Sequence, residues 1–349
     1  MNCLVTGGAG YLGAVLVPKL LTRGHQVRIL DVGYFGLGHL RSLRPWVEVV
    51  REDVRRAAAD RAFRDELLRG CECVIHLAAI SNDPSAELNP ELTRAVNFDA
   101  TCALGEAARE RGVRFLFSSS CSVYGEADVE ADEDTEPKPL TTYAVSKVQA
   151  EQALQQLATR AWRPVILRNG TLFGYSPRMR FDLVVNIFSL HSTLSNDIKV
   201  FGDGSQQRPF LHVDDCARAI VHFAEGPGYA ELCYNIAHQN LRVVDVAAVF
   251  ARVNPRLKVT HLETPDADRR NYAVSTARMR KAGFETRVDL EFGATEMIEA
   301  IITGRIPDPE SVYYRNAKWL KELSRIGSTD HGQIIGLVET LAQMRWPRA

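Results

Sequence analysis

Tyr143 and Lys147 stand four residues apart in Thr142-Tyr143-Ala144-Val145-Ser146-Lys147. On a helix that spacing brings a phenol and an ammonium to one face. A phenol with an ordinary pKa of about 10 is a poor base at neutral pH, and neighbouring positive charge favours its phenolate. Lowering the value by about three units takes roughly 4 kcal/mol of differential stabilisation, within reach of two close cations screened from water. Upstream, Phe117-Ser118-Ser119-Ser120-Cys121-Ser122-Val123-Tyr124-Gly125 offers a cluster of hydroxyls that could orient a substrate alcohol. A serine, a tyrosine and a lysine of this kind suit proton abstraction from an alcohol coupled to hydride removal. Tyr-x-x-x-Lys alone is common on solvated helix faces, so the reading depends on the elements that position it.

Those elements alternate strand and helix from the N-terminus. Cys3-Leu4-Val5-Thr6 reads as a buried strand, Gly7-Gly8-Ala9-Gly10-Tyr11-Leu12-Gly13 as a glycine loop, and Ala14 to Thr22 as an apolar helix closed by Gly24, with Pro18 a local conflict. Gly7, Gly10 and Gly13 permit a tight turn, close backbone approach and close helix–strand packing, so that a pyrophosphate can rest on the positive helix N-terminus. A second strand, Gln26 to Leu30, ends in Asp31. An acid there accepts hydrogen bonds from ribose hydroxyls and repels a 2′-phosphate, which favours NAD over NADP. Further strands are expected at Val47 to Val50, Cys73 to Leu77 and Arg114 to Ser118, with helices near Ala57 to Arg69, Pro90 to Arg111 and Thr142 to Arg160. The expected fold is α/β, a Rossmann-type doubly wound parallel sheet with a smaller mixed α/β substrate-binding lobe. Asp53 and Val54 follow the third strand, where the Asp could meet adenine or cap a helix. Leu77, Ala78 and Ala79 end the fourth strand with small residues that let backbone approach a cofactor, and His76 reads as a strand residue.

Composition is that of a globular protein: 349 residues, 46% hydrophobic, 24% charged, with a formal net charge of −1. Such a balance gives no general attraction to nucleic acid or acidic lipid. Seven cysteines without framework spacing suggest a reducing cytoplasm, and Cys71-x-Cys73 lacks the second pair a zinc site needs, so no metal is expected. No signal peptide, membrane span or repeat is read in the sequence. A tail helix is expected at Gly332 to Met344.

Together these residues resemble the extended short-chain dehydrogenase/reductases of the NAD-dependent nucleotide-sugar epimerase/dehydratase family, UDP-glucose 4-epimerase-like in pattern. The resemblance rests on Thr6 to Gly13, Asp31, Asp53-Val54, His76 to Ala79, Asn97, Ser118 to Ser120 with Val123-Tyr124-Gly125, and Tyr143 with Lys147. It continues through Gly202-Asp203-Gly204 and Arg208-Pro209-Phe210-Leu211-His212-Val213-Asp214-Asp215 to about residue 300. It implies Ser120 as catalytic serine, Tyr143 as general base and Lys147 as its partner and a ribose ligand. A cofactor site would comprise Gly7, Gly10, Tyr11, Leu12, Gly13, Asp31, Asp53, Val54, Leu77, Ala78, Ala79, Asn97, Ser118, Tyr143 and Lys147. Ser120, Asn169, Thr171, Arg208 and Arg270 would meet the substrate, with Arg208 clamping its phosphates and Arg269 or Arg270 a second clamp. It also implies a homodimer formed through the Pro90 to Arg111 and Thr142 to Arg160 helices, and an NAD-binding domain of residues 1–168 plus about 208–237, with residues of about 169–207 and 238–349 in the substrate lobe.

Two departures bear on the reaction. Family members often carry asparagine three residues after the arginine ending the sixth strand, where this chain has Thr171 after Arg168, with Asn169 displaced. Dehydratases carry an Asp-Glu pair after the catalytic hydroxyl residue, where this chain has Cys121-Ser122. Cys121 is therefore a candidate acid or base for dehydration or C5 epimerisation, against its simpler reading as a small packing residue. Arg178 and Arg180 are read as an exposed basic loop in preference to contacts with phosphate or a sugar carboxylate. C4 epimerisation of a nucleotide sugar is the leading expectation. A dehydratase, a keto-sugar reductase or a C3/C5 epimerase is the alternative, and a non-catalytic NAD-binding sensor is the alternative of another class.

Overall fold

A computed structural model of the chain describes residues 1–127, 129–263 and 270–326. Twelve strands are found among them: β1 (Asn2–Thr6), β2 (Gln26–Leu30), β3 (Val47–Val50), β4 (Cys73–His76), β5 (Arg114–Ser120), β6 (Val165–Asn169), β7 (Thr171–Phe173), β8 (Asp197–Phe201), β9 (Gln207–His212), β10 (Cys233–Ile236), β11 (Gln239–Arg242) and β12 (Lys258–Leu262). The helices are α1 (Gly13–Thr22), α2 (Arg55–Ala59), α3 (Arg61–Leu67), α4 (Asp83–Ala86), α5 (Pro90–Arg94), α6 (Ala100–Glu110), α7 (Thr142–Leu157), α8 (Val184–Leu194), α9 (Val213–Glu225), α10 (Val243–Val253), α11 (Ala277–Lys281), α12 (Leu290–Ile302) and α13 (Asn316–Ile326).

Seven strands form one parallel sheet in the order β10-β6-β5-β4-β1-β2-β3. The inner strands are continuous apolar runs because helices cover both faces. Leu16, Leu20 and Ile220, from α1 and α9, are buried against one face, and Leu104, Ala108, Ala150 and Leu154, from α6 and α7, against the other. The smaller mixed part has a three-stranded sheet, β11-β9-β7, and a two-stranded one, β12-β8, around Phe173, Phe188, Phe210 and Phe250. The expected Rossmann-type doubly wound fold with a smaller mixed sheet is thus present.

Several boundaries differ from the sequence reading. The expected helix from Ala57 to Arg69 is two short helices, because Asp60 leaves the helical conformation and its carboxylate accepts from the Phe63 amide at 3.0 Å, starting α3 afresh. The expected helix from Pro90 to Arg111 contains a π turn at Ala95–Asp99, and α7 stops at Leu157. α1 runs through Pro18. The tail expected as a helix at Gly332 to Met344, and Arg269, lie outside the described residues.

Candidate active site

The carboxyl ends of β1, β4 and β5 and the N-termini of α1 and α7 meet in one cleft. Gly7, with φ at +70°, lies so close to the end of β4 that a Cβ would stand 2.7 Å from the Ala78 nitrogen; one on Gly13 would stand 2.6 Å from the Gly7 carbonyl. Only glycine fits either position. Thr6 ties the loops further, its hydroxyl 2.6 Å from His76 Nδ1 and accepting from the Ala78 amide at 3.2 Å. His76 also contacts Thr101 at 2.9 Å and is pushed by burial to about 3, so it is a neutral strand residue, as read from sequence. The Asp31 carboxylate accepts from the amides of Ala9 at 3.0 Å and Gly33 at 2.9 Å, while burial pushes its pKa up.

These features fit a dinucleotide. Ser176 donates its hydroxyl to the Tyr11 carbonyl of the glycine loop at 2.7 Å and accepts from the Arg178 amide at 3.3 Å; buried Arg178 has its Nε without a partner, and His39 has an unpartnered ring nitrogen. An anion is the group that such a cation and the N-terminus of α1 accommodate. Leu77, Ala78 and Ala79 line the approach, half-buried. Leu12 and Val54 are core side chains, so only their backbone faces outward, and the Tyr11 hydroxyl donates to the Gly174 carbonyl at 2.6 Å, joining the glycine loop to the far side of the cleft. Asp53 accepts from the Arg55 amide at 2.8 Å and pairs with its guanidinium at 2.7 Å.

Lys147 and Tyr143 share one face of α7, whose N-cap Thr141 accepts from the Ala144 amide. Lys147 is buried, its Nζ donating to the Ser118 carbonyl at 2.8 Å and lying 4.6 Å from the Phe117 ring centroid and 5.8 Å from that of Tyr143. Burial pushes the ammonium down to about 7, with Glu151 opposing. The expected lowering of the phenol is not found in the protein alone. Burial, helped by Asp83, pushes Tyr143 up to about 12, against a hydrogen bond with Ser120 and the charges of Arg180 and Arg270. Lys147 lies beside the ring yet spends its charge on the Ser118 carbonyl, so phenolate needs further positive charge at the site.

Ser120 accepts from the Ser122 amide at 3.2 Å, starting the turn Cys121–Tyr124 that lifts its hydroxyl to the sheet edge. Cys121 does not fit the acid–base part considered for it. It is buried, its thiol donates to the Arg168 carbonyl at 3.1 Å, and desolvation drives its pKa far above the ordinary thiol value. Asn97, on the π turn, is wholly buried: its carboxamide accepts from the Ile80 amide at 2.8 Å and donates to Ser146 at 3.0 Å, so it shapes the loop after β4. Asn169 donates to the Ser118 hydroxyl at 3.0 Å, and Thr171 opens β7. Arg208 donates to the carbonyls of Gln207 and Arg270 and lies over the Tyr272 ring, while Arg270 pairs with Asp83 at 2.9 Å.

Arg178 and Arg180 are not an exposed loop. Arg178 is 2% and Arg180 8% exposed. The Arg178 guanidinium sits 3.7 Å from the Phe35 ring centroid and donates to Asn316 at 2.6 Å, and Arg180 pairs with Asp182 at 2.9 Å. Distant partners bury them, which composition of the loop does not reveal. The sequence reading also passed over Asn82 and Asp83. Asn82 holds a positive φ of 79° and donates to Asp182 at 2.6 Å, and Asp83 accepts from the Thr141 hydroxyl beside the start of α7. Glu151, four residues past Lys147, was legible by the same helical spacing; it pairs with Arg168 at 2.7 Å and accepts from Ser119 beneath the serine cluster.

The profile of the NAD dependent epimerase/dehydratase family matches residues 3–237. The chain belongs to that family. An uncharacterized UDP-glucose epimerase, YtcB, of Bacillus subtilis is 31% identical over 273 residues, 75% of this chain and 84% of that protein. A dTDP-glucose 4,6-dehydratase of Streptomyces niveus is 27% identical over 327 residues, 86% and 92% of the two chains. Among solved structures, a UDP-glucose 4-epimerase of Thermotoga maritima with UDP-glucose superposes with a TM-score of 0.77 at 26% identity, over 87% of this chain and 100% of that one. This family member is an enzyme and NAD is its cofactor. Among the described residues no group of side chains could hold a metal ion, and no helix is long and apolar enough to cross a membrane.

Proposed function

We propose that this enzyme epimerises a nucleotide hexose at C4 through a 4-keto intermediate. The observation that carries the reading is the joining of Ser120, Tyr143 and Lys147 at the sheet edge, next to positions 121 and 122 that offer no acid or base: Cys121 is sealed against the Arg168 carbonyl, and Ser122 is buried. Glycines 7, 10 and 13, Asp31, the backbone of Tyr11, Leu12, Val54 and Leu77 to Ala79, Asp53, Ser118 and Lys147 would hold NAD, with Arg178 beside them. Bound there, NAD would supply the acceptor, and then the donor, for the hydride of the sugar carbon. Tyr143 removes the proton from the sugar hydroxyl and gives it back after the keto sugar has turned. Ser120 orients that hydroxyl, and Lys147, when charged, favours the phenolate. Arg208 and Arg270 would grip the diphosphate, which leaves the sugar loosely held and free to rotate. In this reading residues 1–168 and about 208–237 bind the dinucleotide and the remainder binds the nucleotide sugar. The cleft's assembled triad supports catalysis over passive sensing of NAD.

Incubation of UDP-, dTDP-, GDP- and CDP-hexoses with the protein in deuterium oxide, followed by NMR and mass spectrometry, tests the reaction. The expected product is a C4 epimer without deuterium on carbon, because the same hydride returns. Deuterium at C5, or loss of water, would transfer the assignment to a C5 epimerase or dehydratase.

A further inference from the structure

The C-terminal part of the described chain packs onto both the loop after β2 and the loop that carries Arg178 and Asp182. It docks in two places. On one side, the Phe181 amide donates to the Tyr314 carbonyl at 2.7 Å, the Asn316 amide donates to Asp182 at 3.1 Å, and the Asn316 side-chain oxygen accepts from Arg178 at 2.6 Å. On the other, the Trp319 indole donates to the Tyr34 carbonyl at 2.7 Å, and Trp319 and Leu323 are buried against Tyr34, Phe35 and Tyr313. Tyr34 and Phe35 belong to the loop that leaves β2 just after Asp31. Arg178 is enclosed by both contacts, its guanidinium lying over Phe35 and bonded to Asn316, with Nε still unpartnered. α13 therefore joins the loop beside the ribose acid to the loop carrying the buried arginines, and through Asp182 it reaches Arg180.

We propose that Asn316 and Trp319 are positioning residues for the dinucleotide: α13 clasps the loop after β2 to the 175–182 loop, fixes Arg178 beside the glycine turn, and makes release of bound NAD wait on opening of the clasp. The clasp acts on the cofactor site of the family and not on the choice of reaction, so its test is independent of C4 epimerisation. A buried guanidinium that loses one of its few acceptors recovers rotamer freedom and no longer meets an anion in a fixed geometry. A clasp built from side chains also opens locally without unfolding the sheet.

The full-length protein loaded with NAD is mixed with excess fluorescent etheno-NAD, and the exchange rate is followed, together with the melting temperature of the NAD-free protein. Asn316→Ala should speed exchange roughly tenfold or more, the scale of a lost hydrogen bond to a charged group, with the NAD-free melting temperature little changed. Trp319→Phe, which keeps the packed ring and deletes the donor to Tyr34, should speed exchange by a smaller factor. In an Arg178→Ala background, Asn316→Ala should add less than twofold, because its partner has gone. Exchange at the parent rate in both single variants would overturn the proposal, as would the full Asn316→Ala effect persisting without Arg178.

Discussion

At Lys147 two demands oppose each other. The ammonium must be buried to lie beside Tyr143, and burial is what drives it down to about 7. In the unfolded chain the lysine keeps its ordinary value, so between about pH 7 and pH 10.5 the unfolded state binds more protons and stability rises with pH across that window. Below pH 7 the buried ammonium weighs against folding. Lys147→Met should therefore flatten the rise in the urea midpoint of NAD-free protein between pH 6.5 and 9.5, a difference on the order of 3 kcal/mol between the two limits. A parent-like slope in that variant would contradict the burial argument. Tyr143→Phe should lower turnover by about a thousandfold or more while NAD binding, read by fluorescence titration, stays nearly unchanged, since it deletes the proposed proton acceptor and keeps the ring. Cys121→Ala should keep most of the activity and cost about 1 kcal/mol in chemical denaturation, the effect of a small cavity in the cluster with Val123, Tyr124 and Val148.

α7 shows what local pattern can and cannot carry. Tyr143, Lys147 and Glu151 follow one helical period, so their shared face was legible from spacing alone, as were the glycine turn and the first five strands of the parallel sheet, whereas its edge strand β10 was not. Partners on other elements were not. Arg168, on β6, meets Glu151 with both side chains almost wholly buried, and its Nη1 also donates to the Tyr124 hydroxyl at 2.8 Å. Arg178 and Arg180 looked like solvent-facing charges because their partners lie elsewhere, Asn316 being 138 residues away. The π turn at Asn97 was also hidden, since it is set by the carboxamide reaching Ile80 and Ser146 and not by helix propensity. Breaking a buried ion pair strands the remaining charge. Glu151→Gln should thus destabilise the protein by roughly 3 kcal/mol in urea unfolding, whereas removing the exposed pair of Arg252 and Glu291 should change the midpoint by less than about 1 kcal/mol.

On the scale of the whole molecule, exposed Leu140 and Val145 line a cleft between α5 and α7 together with Glu87, Pro90, Arg94 and Gln149. We expect this face to join two copies through the helices after β4 and β5. Val145→Asp should then shift sedimentation from dimer to monomer, and an unchanged coefficient would place the interface elsewhere. The path of the chain between its sheets limits how such an enzyme can be rebuilt. After β6 in the large sheet, one residue, Gly170, leads to β7 in the small one, and the chain returns to the large sheet at β10 before leaving again at β11. At Gly170 a Cβ would stand 2.9 Å from the Pro209 carbonyl, so that passage has no slack. The smaller mixed part is consequently not a cassette. Grafting it from a relative requires several splice points whose backbones must coincide, one of them within a single glycine, and single cuts will yield chimeras with two unmatched halves of one core. Changes of substrate are accordingly reached more readily by exchanging individual side chains around a fixed path than by recombining segments.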